Sequence, residues 1–225
     1  MLRRYVPQYS VWFPVNPMKP IGSGLSMRRR PRGFMMSSGN KAAPRLSISR
    51  LTDFTQLTNF TCGVPEMDRF IHAGFEDSVS NHFCVPYSVR IGERMAGFFA
   101  LNFDAVLLPD DYKDDLKLGA TAFGTPGISE SYEDTFWSKW HYPAMEISYL
   151  AIQAEFQNRQ IGRRIVEEIV DLARRQALAG CQFVTVEAYH KPGYSAEGFY
   201  RKCRFSRCAD PDPAGDTIRM YRFLY

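Results

Sequence analysis

One segment of the chain constrains the fold most, because it holds a buried strand that leads through a tight turn into the most regular helix pattern. Residues 145–152 are mainly apolar and predict a buried strand. A helix is predicted over 159–178, with Gly180 as its C-terminal stop. Its apolar side chains form one stripe: Ile161, Ile165, Val166, Ile169, Val170, Leu172 and Ala173.

Strand and helix patterns continue on both sides of this segment, which indicates one mixed α/β domain. In chain order, the further predicted elements are a strand with a short connection over 45–60, a helix from Pro65 through Val79, strands over 86–91 and 95–106 joined at 92–94, a strand over 183–188, a short helix over 195–202 and a strand over 217–223. Gly74 weakens the helix that begins at Pro65.

Positive charge is concentrated near the N-terminus. Residues 1–50 contain ten Lys or Arg and no Asp or Glu, whereas the rest of the chain has 18 basic and 24 acidic residues. We therefore expect a basic, Pro- and Gly-rich, poorly ordered extension over 1–44 and a folded domain over 45–225. The basic run at 27–32 could contact nucleic acid or an anionic surface, or it could be a solvated tail or sequence upstream of the true start.

Cysteine and hydropathy patterns predict a cytoplasmic protein. No run of 18 apolar residues is present, and no cleavable signal pattern follows Arg3 and Arg4. The five cysteines lack C-x-x-C spacing, which indicates free thiols in a reducing compartment. The four histidines are scattered, so we predict no metal site.

A long connection over 107–144 separates two predicted strands. It contains seven acidic residues against three lysines, and it is rich in Tyr, Phe and Trp. A disordered linker is seldom so aromatic, so we expect this insertion to pack beside a binding site, with short helices.

The turn before the long helix has features of a phosphate-binding site. A helix N-terminus offers unpaired N–H groups, and Gly162 allows a ligand to approach the backbone closely. Arg159, Arg163 and Arg164 crowd the first turn, where the helix dipole favours acidic residues. A bound polyanion would relieve this conflict, although the same arginines could form a solvated basic face.

Two sequence motifs here resemble the GNAT acetyltransferases. Gln157, Ile161 and Gly162, preceded by Leu150-Ala151-Ile152, are similar to the family's Gln/Arg-x-x-Gly-x-Gly/Ala motif and the strand before it. The segment 196–205 is similar to the family's A-x-x-F-Y segment. Asn158, Gln160 and Arg204 stand where the family usually has glycine.

The resemblance implies a GNAT fold: a mixed, mostly antiparallel twisted sheet flanked by helices, with splayed fourth and fifth strands and a bulge in the fourth. It implies that acetyl-CoA lies in this gap, as an added strand would. The cofactor-binding residues carried over are Leu150, Ala151, Ile152, Gln157, Asn158, Arg159, Gln160, Ile161, Gly162 and Arg163.

The resemblance also implies direct attack of an amine on the thioester in a ternary complex. Glu146 matches the base of one branch of the family, while other branches lack this acid. Tyr200 matches the family tyrosine that supplies a proton to the leaving thiolate. Each residue could instead be structural: Glu146 as a solvated carboxylate and Tyr200 as a core aromatic.

The acetyl acceptor stays open among several classes. An acidic lining would favour a protein lysine, a protein N-terminus or a small amine. Against this, the segment 60–63, the helix after it and the strand over 97–101 resemble a GNAT subgroup that includes toxins acting on aminoacyl-tRNA. A catalytically inactive acyl-CoA-binding module is a third hypothesis, and a homodimer is possible.

Overall fold

The computed structural model describes residues 45–107, 128–208 and 215–224. The predicted N-terminal extension and most of the acidic insertion lie outside these residues. The described strands are β1 Leu46–Arg50, β2 Val85–Ile91, β3 Arg94–Leu107, β4 His141–Ile152, β5 Phe183–Lys191, β6 Tyr194–Ser195, β7 Ser206–Arg207 and β8 Thr217–Phe223. The described α-helices are α1 Pro65–Ala73, α2 Phe75–Ser80, α3 Glu130–Ser138, α4 Ile161–Arg175 and α5 Glu197–Lys202.

The strands form a single mixed sheet in the order β1-β2-β3-β4-β5-β8-β7, with β6 paired to β5. The β4–β5 pair is parallel, and the other pairs that the structure describes are antiparallel. This architecture confirms the fold class predicted from the sequence.

Helices cover both faces of the sheet because strand residues alternate between them. On one face, the buried side of α4 and the aromatic residues of α5 pack on residues such as Leu150 and Val186. On the other face, α1 and α2 cover Phe98, Ala100 and Tyr149, while Phe136 of α3 packs on Tyr142 further along the sheet. Each fully buried apolar side chain of this kind contributes about 1.5–3 kcal/mol.

The pairing between β4 and β5 is short, so the two strands part. Only Ala144, Met145 and Glu146 of β4 have partners in β5, namely Phe183, Val184 and Thr185. β4 stays paired with β3 as far as Ile152, and β5 stays paired with β8 as far as Tyr189. Beyond Glu146 the sheet therefore contains the gap that the family resemblance predicted.

A bulge in β4 lies directly after this point. Ala100 of β3 is opposite Tyr149, whereas the next residue, Leu101, is opposite Ile147. Ser148 is thus the extra residue of β4, and such a bulge leaves backbone groups unpaired. The Ser148 hydroxyl is buried and makes no hydrogen bond to any described residue.

Several predicted boundaries are wrong. The helix that begins at Pro65 breaks at Gly74 into α1 and α2. β4 begins at His141, four residues before the predicted start, because Tyr142 is buried against Phe136. α4 ends at Arg175 rather than near Gly180, since Gln176 is extended and its side chain accepts from the amides of residues 178 and 179.

The three residues found at usual glycine positions adopt the backbone conformation that favours glycine. Asn158, Gln160 and Arg204 have φ angles of 59°, 60° and 66°. A left-handed conformation costs a residue with a Cβ roughly 1–2 kcal/mol, and less for Asn. The backbone at these positions therefore has the conformation that glycine adopts most easily, at a conformational cost to the side chains present.

Replacing Gln160 with glycine should relieve this strain. We expect Gln160→Gly to raise the free energy of unfolding by about 0.5–1 kcal/mol, after allowing for the greater freedom of glycine in the unfolded chain. Glu168→Gly, in the exposed middle of α4, should instead lower it by about 1 kcal/mol. Urea unfolding of both variants measures the difference, and an equal loss of stability would contradict the strain at Gln160.

Candidate functional site

A cleft of about 690 Å³ lies where the start of α4 faces the β6–α5 segment. Seven of the ten predicted cofactor-binding residues line it: Ile152, Gln157, Asn158, Gln160, Ile161, Gly162 and Arg163. Ser195, Gly198, Phe199, Lys202 and Cys203 form the opposite wall. Leu150, Ala151 and Arg159 are not part of the lining.

The first turn of α4 supplies backbone donors to this cleft. Arg164 is the first residue whose amide bonds to a carbonyl of the preceding turn, to Gln160 O at 3.1 Å. The amides of Ile161, Gly162 and Arg163 therefore have no acceptor within the helix. The first turn contains no acidic residue, and Arg159 and Arg163 are exposed. These groups fit a pyrophosphate, because donors and positive charge converge on one end of the helix.

The Gln157 side chain is engaged within the protein. Its Nε2 atom donates to the carbonyl oxygens of Cys62 at 2.7 Å and Ile152 at 3.0 Å. The amide therefore fastens the turn before α4 to the end of β4 and to the loop before α1. Because this nitrogen is already used, the main effect of Gln157 is on the shape of the phosphate-binding turn.

Leu150, Ala151 and Ile152 form the β4 side of the gap. Their side chains are buried, with Leu150 and Ile152 toward α4 and Ala151 toward α1 and α2. On their β3 side they pair with Phe99, Phe98 and Gly97. Their other edge is not paired with β5, so backbone N–H and C=O groups on that edge can form hydrogen bonds with a ligand in the gap.

Tyr200 lies on α5 and is completely buried. Its ring contacts Phe199 and Phe205, with ring centres 5.0 and 5.3 Å away. Burial raises the pKa of the Tyr200 phenol well above its ordinary value, and the nearby Cys203 acts in the same direction. The phenol therefore stays protonated and can donate a hydrogen bond.

Glu146 occupies the last paired position before β4 and β5 part. It is opposite Asn102 of β3 and Thr185 of β5. Burial, followed by the negative charge of Asp104, raises the pKa of Glu146 to about 7, while Asn102 and Arg219 act in the opposite direction. A carboxyl group with this pKa can accept a proton near neutral pH.

Sequence reasoning missed a polar network beside Glu146. Arg219 of β8 donates to Glu187 of β5 at 2.8 Å and to Asp104 of β3 at 2.6 Å. Thr185 also donates to Asp104. The only signal in the sequence is a set of polar residues at alternate positions of strands that are otherwise apolar, and that pattern assigns no role to any of them.

The candidate residues lie on different sides of the sheet, and neither Tyr200 nor Glu146 lines the cleft at the start of α4. Tyr200 and the α4 turn belong to one face, whereas Glu146, Asp104, Glu187 and Arg219 belong to the other. In the ranges 45–107, 128–208 and 215–224, no group of three His, Cys, Asp or Glu side chains could hold a metal. No helix in these ranges is long and apolar enough to span a bilayer.

Comparisons with known proteins agree with this geometry. Residues 51–205 match the Acetyltransferase (GNAT) family. A bacterial toxin structure is similar at a TM-score of 0.57 and 16% identity, covering 81% of this chain and 92% of the toxin. A tyrosine-to-phenylalanine variant of KacT is similar at a TM-score of 0.56 and 16% identity, covering 80% of this chain and 95% of KacT.

A third structure, AtaT complexed with acetyl-methionyl-tRNAfMet, reaches a TM-score of 0.55 at 16% identity and covers 78% of this chain and 94% of AtaT. No curated protein sequence matches the chain. At these identities the solved structures establish the fold, whereas the family match spans most of the chain. The protein is therefore a member of the GNAT family and an acetyltransferase that uses acetyl-CoA.

Proposed function

We propose that the protein transfers an acetyl group from acetyl-CoA to a primary amine that is deprotonated by Glu146. The observation that carries this proposal is the position of Glu146, at the last β4–β5 pair before the gap, together with a pKa near 7. The base would then stand at one end of the gap, and the acyl donor would enter from the α4 side.

The α4 turn and the edge of β4 are the groups that would hold acetyl-CoA. The free amides of Ile161, Gly162 and Arg163 would bind its phosphates, and the edge of β4 at residues 150–152, which has no strand beside it, would bind the amides of its pantetheine arm. Acetyl-CoA supplies the thioester-bound acetyl group. The protein orients that group between the two faces of the sheet.

Glu146 and Tyr200 have complementary proton-transfer roles in this proposal. Because an amine attacks only when neutral, the Glu146 carboxylate would first take one proton from the ammonium form of the acceptor. The second proton, which the nitrogen loses as its C–N bond forms, would pass to the leaving sulfur by way of the Tyr200 phenol. As the C–S bond breaks, the Tyr200 phenol would donate a hydrogen bond or a proton to the leaving sulfur. The raised pKa of Tyr200 supports this role because it keeps the phenol protonated.

The charge around Glu146 favours a cationic acceptor. Asp104 and Glu187 are only partly exposed, and within the part of the chain that the structure describes they share one positive partner, Arg219. The local charge is thus negative even when Glu146 is protonated, and it would attract an ammonium group. A protein lysine, a protein N-terminus or a small amine fits this environment.

Aminoacyl-tRNA is the second candidate acceptor. Its α-amino group is also a primary amine, and the similar AtaT structure is complexed with acetyl-methionyl-tRNAfMet. The ten basic residues in 1–50 would favour RNA binding by this chain. This function would place the protein in the cytoplasm. It would also imply an antitoxin partner, because the similar toxin AtaT is bound to the antitoxin AtaR.

Transfer of radiolabelled acetyl groups distinguishes these acceptors. The full chain is incubated with labelled acetyl-CoA and one of three pools: polyamines, lysine-containing peptides with free N-termini, or aminoacylated tRNA. We expect label in the polyamine or peptide pool. Label only in aminoacyl-tRNA, lost when the RNA is deacylated first, would select the second candidate, and no transfer to any amine would contradict the proposal.

The role of Glu146 predicts a specific pH dependence. With a pKa near 7, the carboxyl is protonated below neutral pH and ionised above it, so kcat/KM should rise between about pH 6 and 8. Glu146→Gln should lower the rate about 10²–10⁴-fold above pH 7 and much less at pH 6. The control is Glu168→Gln on the exposed side of α4, and a pH profile retained by Glu146→Gln would remove this residue as the base.

The role of Tyr200 predicts a loss of turnover without a loss of donor affinity. Tyr200→Phe keeps the buried ring and removes only the hydroxyl, so kcat should fall about 10²-fold. The Kd of acetyl-CoA, measured by calorimetry, should not change. Tyr87→Phe, whose ring stacks on Phe99 in another part of the sheet, is the matched control. Parallel losses of kcat and affinity in Tyr200→Phe would mean that the residue mainly shapes the site.

A further inference from the structure

Arg219 joins three strands into one polar network on the acceptor face of the sheet. Its Nη1 donates to Glu187 Oε1 at 2.8 Å, and its Nη2 donates to Asp104 Oδ2 at 2.6 Å and to Ala105 O at 3.2 Å. Thr217 Oγ1 holds the second oxygen of Glu187 at 3.2 Å. Both carboxylates are therefore fixed, and so is the guanidinium between them.

This network borders Glu146 without forming a direct ion pair with it. Thr185, which is opposite Glu146 in the β4–β5 pair, donates to Asp104. Asn102 faces Glu146 from β3 and acts to lower its pKa. The charged groups that act on Glu146 are Asp104 of β3, Glu187 of β5 and Arg219 of β8, and the Cys84 thiol before β2 is also close.

A structural purpose alone is a weak explanation of this arrangement. Partly buried ion pairs are seldom more stabilising than apolar residues of the same size, because removing charges from water is costly. In addition, two carboxylates share one guanidinium, so one negative charge is left over beside Glu146. That excess opposes ionisation of Glu146, whereas Arg219 favours it.

We propose that Arg219, held between Asp104 and Glu187, is a positioning residue that sets the pH at which Glu146 becomes a base. The inference rests on the proposed function, in which Glu146 deprotonates the acceptor amine. One positive and two negative charges act together on the Glu146 carboxyl, so that it ionises at neither too low nor too high a pH to serve as the base. Removing a negative charge and removing the positive charge should therefore shift the ascending part of the pH profile in opposite directions.

Asp104→Asn tests the negative side of this balance. Asparagine has the same shape, and its Oδ1 can still accept from Arg219 and Thr185, so the fold should be retained. Losing the charge, and leaving Arg219 less neutralised, should lower the apparent pKa of kcat/KM by about 1 unit. At a pH about one unit below the wild-type midpoint, activity relative to the plateau should rise by up to about 5-fold. Glu187→Gln should shift the profile in the same direction.

Arg219→Gln tests the positive side and should move the same midpoint upward. It leaves two partly buried carboxylates without their partner, so the variant could unfold; Asp104→Asn and Glu187→Gln then carry the test by themselves. Asp171→Asn, an exposed charge change on α4, is the control and should leave the midpoint unchanged.

The outcomes separate this inference from the proposal on which it rests. Melting temperatures first show that Asp104→Asn and Glu187→Gln are folded. If Glu146→Gln then abolishes the ascending limb of the pH profile while these two variants leave its midpoint unchanged, Glu146 remains the base and the inference is wrong. If Glu146→Gln retains the limb, both the inference and the assignment of the base are wrong. Downward shifts in both isosteric variants would support the inference.

Discussion

The separation of β4 from β5 after Glu146 is the constraint on which the rest of the structure depends. Two neighbouring strands that part leave backbone N–H and C=O groups without partners, and burying such groups is costly. The pairing of β4 with β3 and of β5 with β8 holds the strands on either side, while α4 on one face and α1 with α2 on the other keep both strands covered. The gap is thus supported by the packing of both halves of the sheet, and a ligand with amide groups can satisfy its open edges.

The two faces of the sheet beside the gap offer different chemical environments. On the α4 side, free amides and arginines favour phosphates, and the Tyr200 phenol is kept protonated by burial. On the opposite side, burial and then the negative charge of Asp104 raise the pKa of Glu146, and among the described residues Asp104 and Glu187 share the guanidinium of Arg219. In the proposed function, an anionic donor and a cationic acceptor would be attracted to opposite faces, and their reacting atoms would meet where the sheet is open. This separation of charge is a physical reason for the direct transfer that we propose.

Local patterns predicted those parts of the fold that local forces determine. The apolar stripe of α4 and the buried strand before it are visible in the sequence, because a single period specifies which side is buried. Tertiary packing and side-chain hydrogen bonds determine the helix ends at Gly74 and Gln176 and the early start of β4. The spacing of apolar residues alone therefore placed these boundaries at the wrong residues. Gln160 and Arg204 depart from the family's glycine pattern, yet both adopt the glycine-like conformation. The network of Asp104, Glu187 and Arg219 could not be predicted, because it is assembled only when β3, β5 and β8 come together.

The most direct test of this account is a crystal structure of the protein with coenzyme A. We expect the phosphates to lie on the amides of residues 161–163, the pantetheine arm to bond to the open edge of β4, and its sulfur to point through the gap toward Glu146 and Tyr200. An acceptor amine placed beside that sulfur should come within roughly 3 Å of the Glu146 carboxylate, or reach it through one water. Coenzyme A bound outside the gap, or β4 and β5 paired along their full length in the complex, would contradict the account.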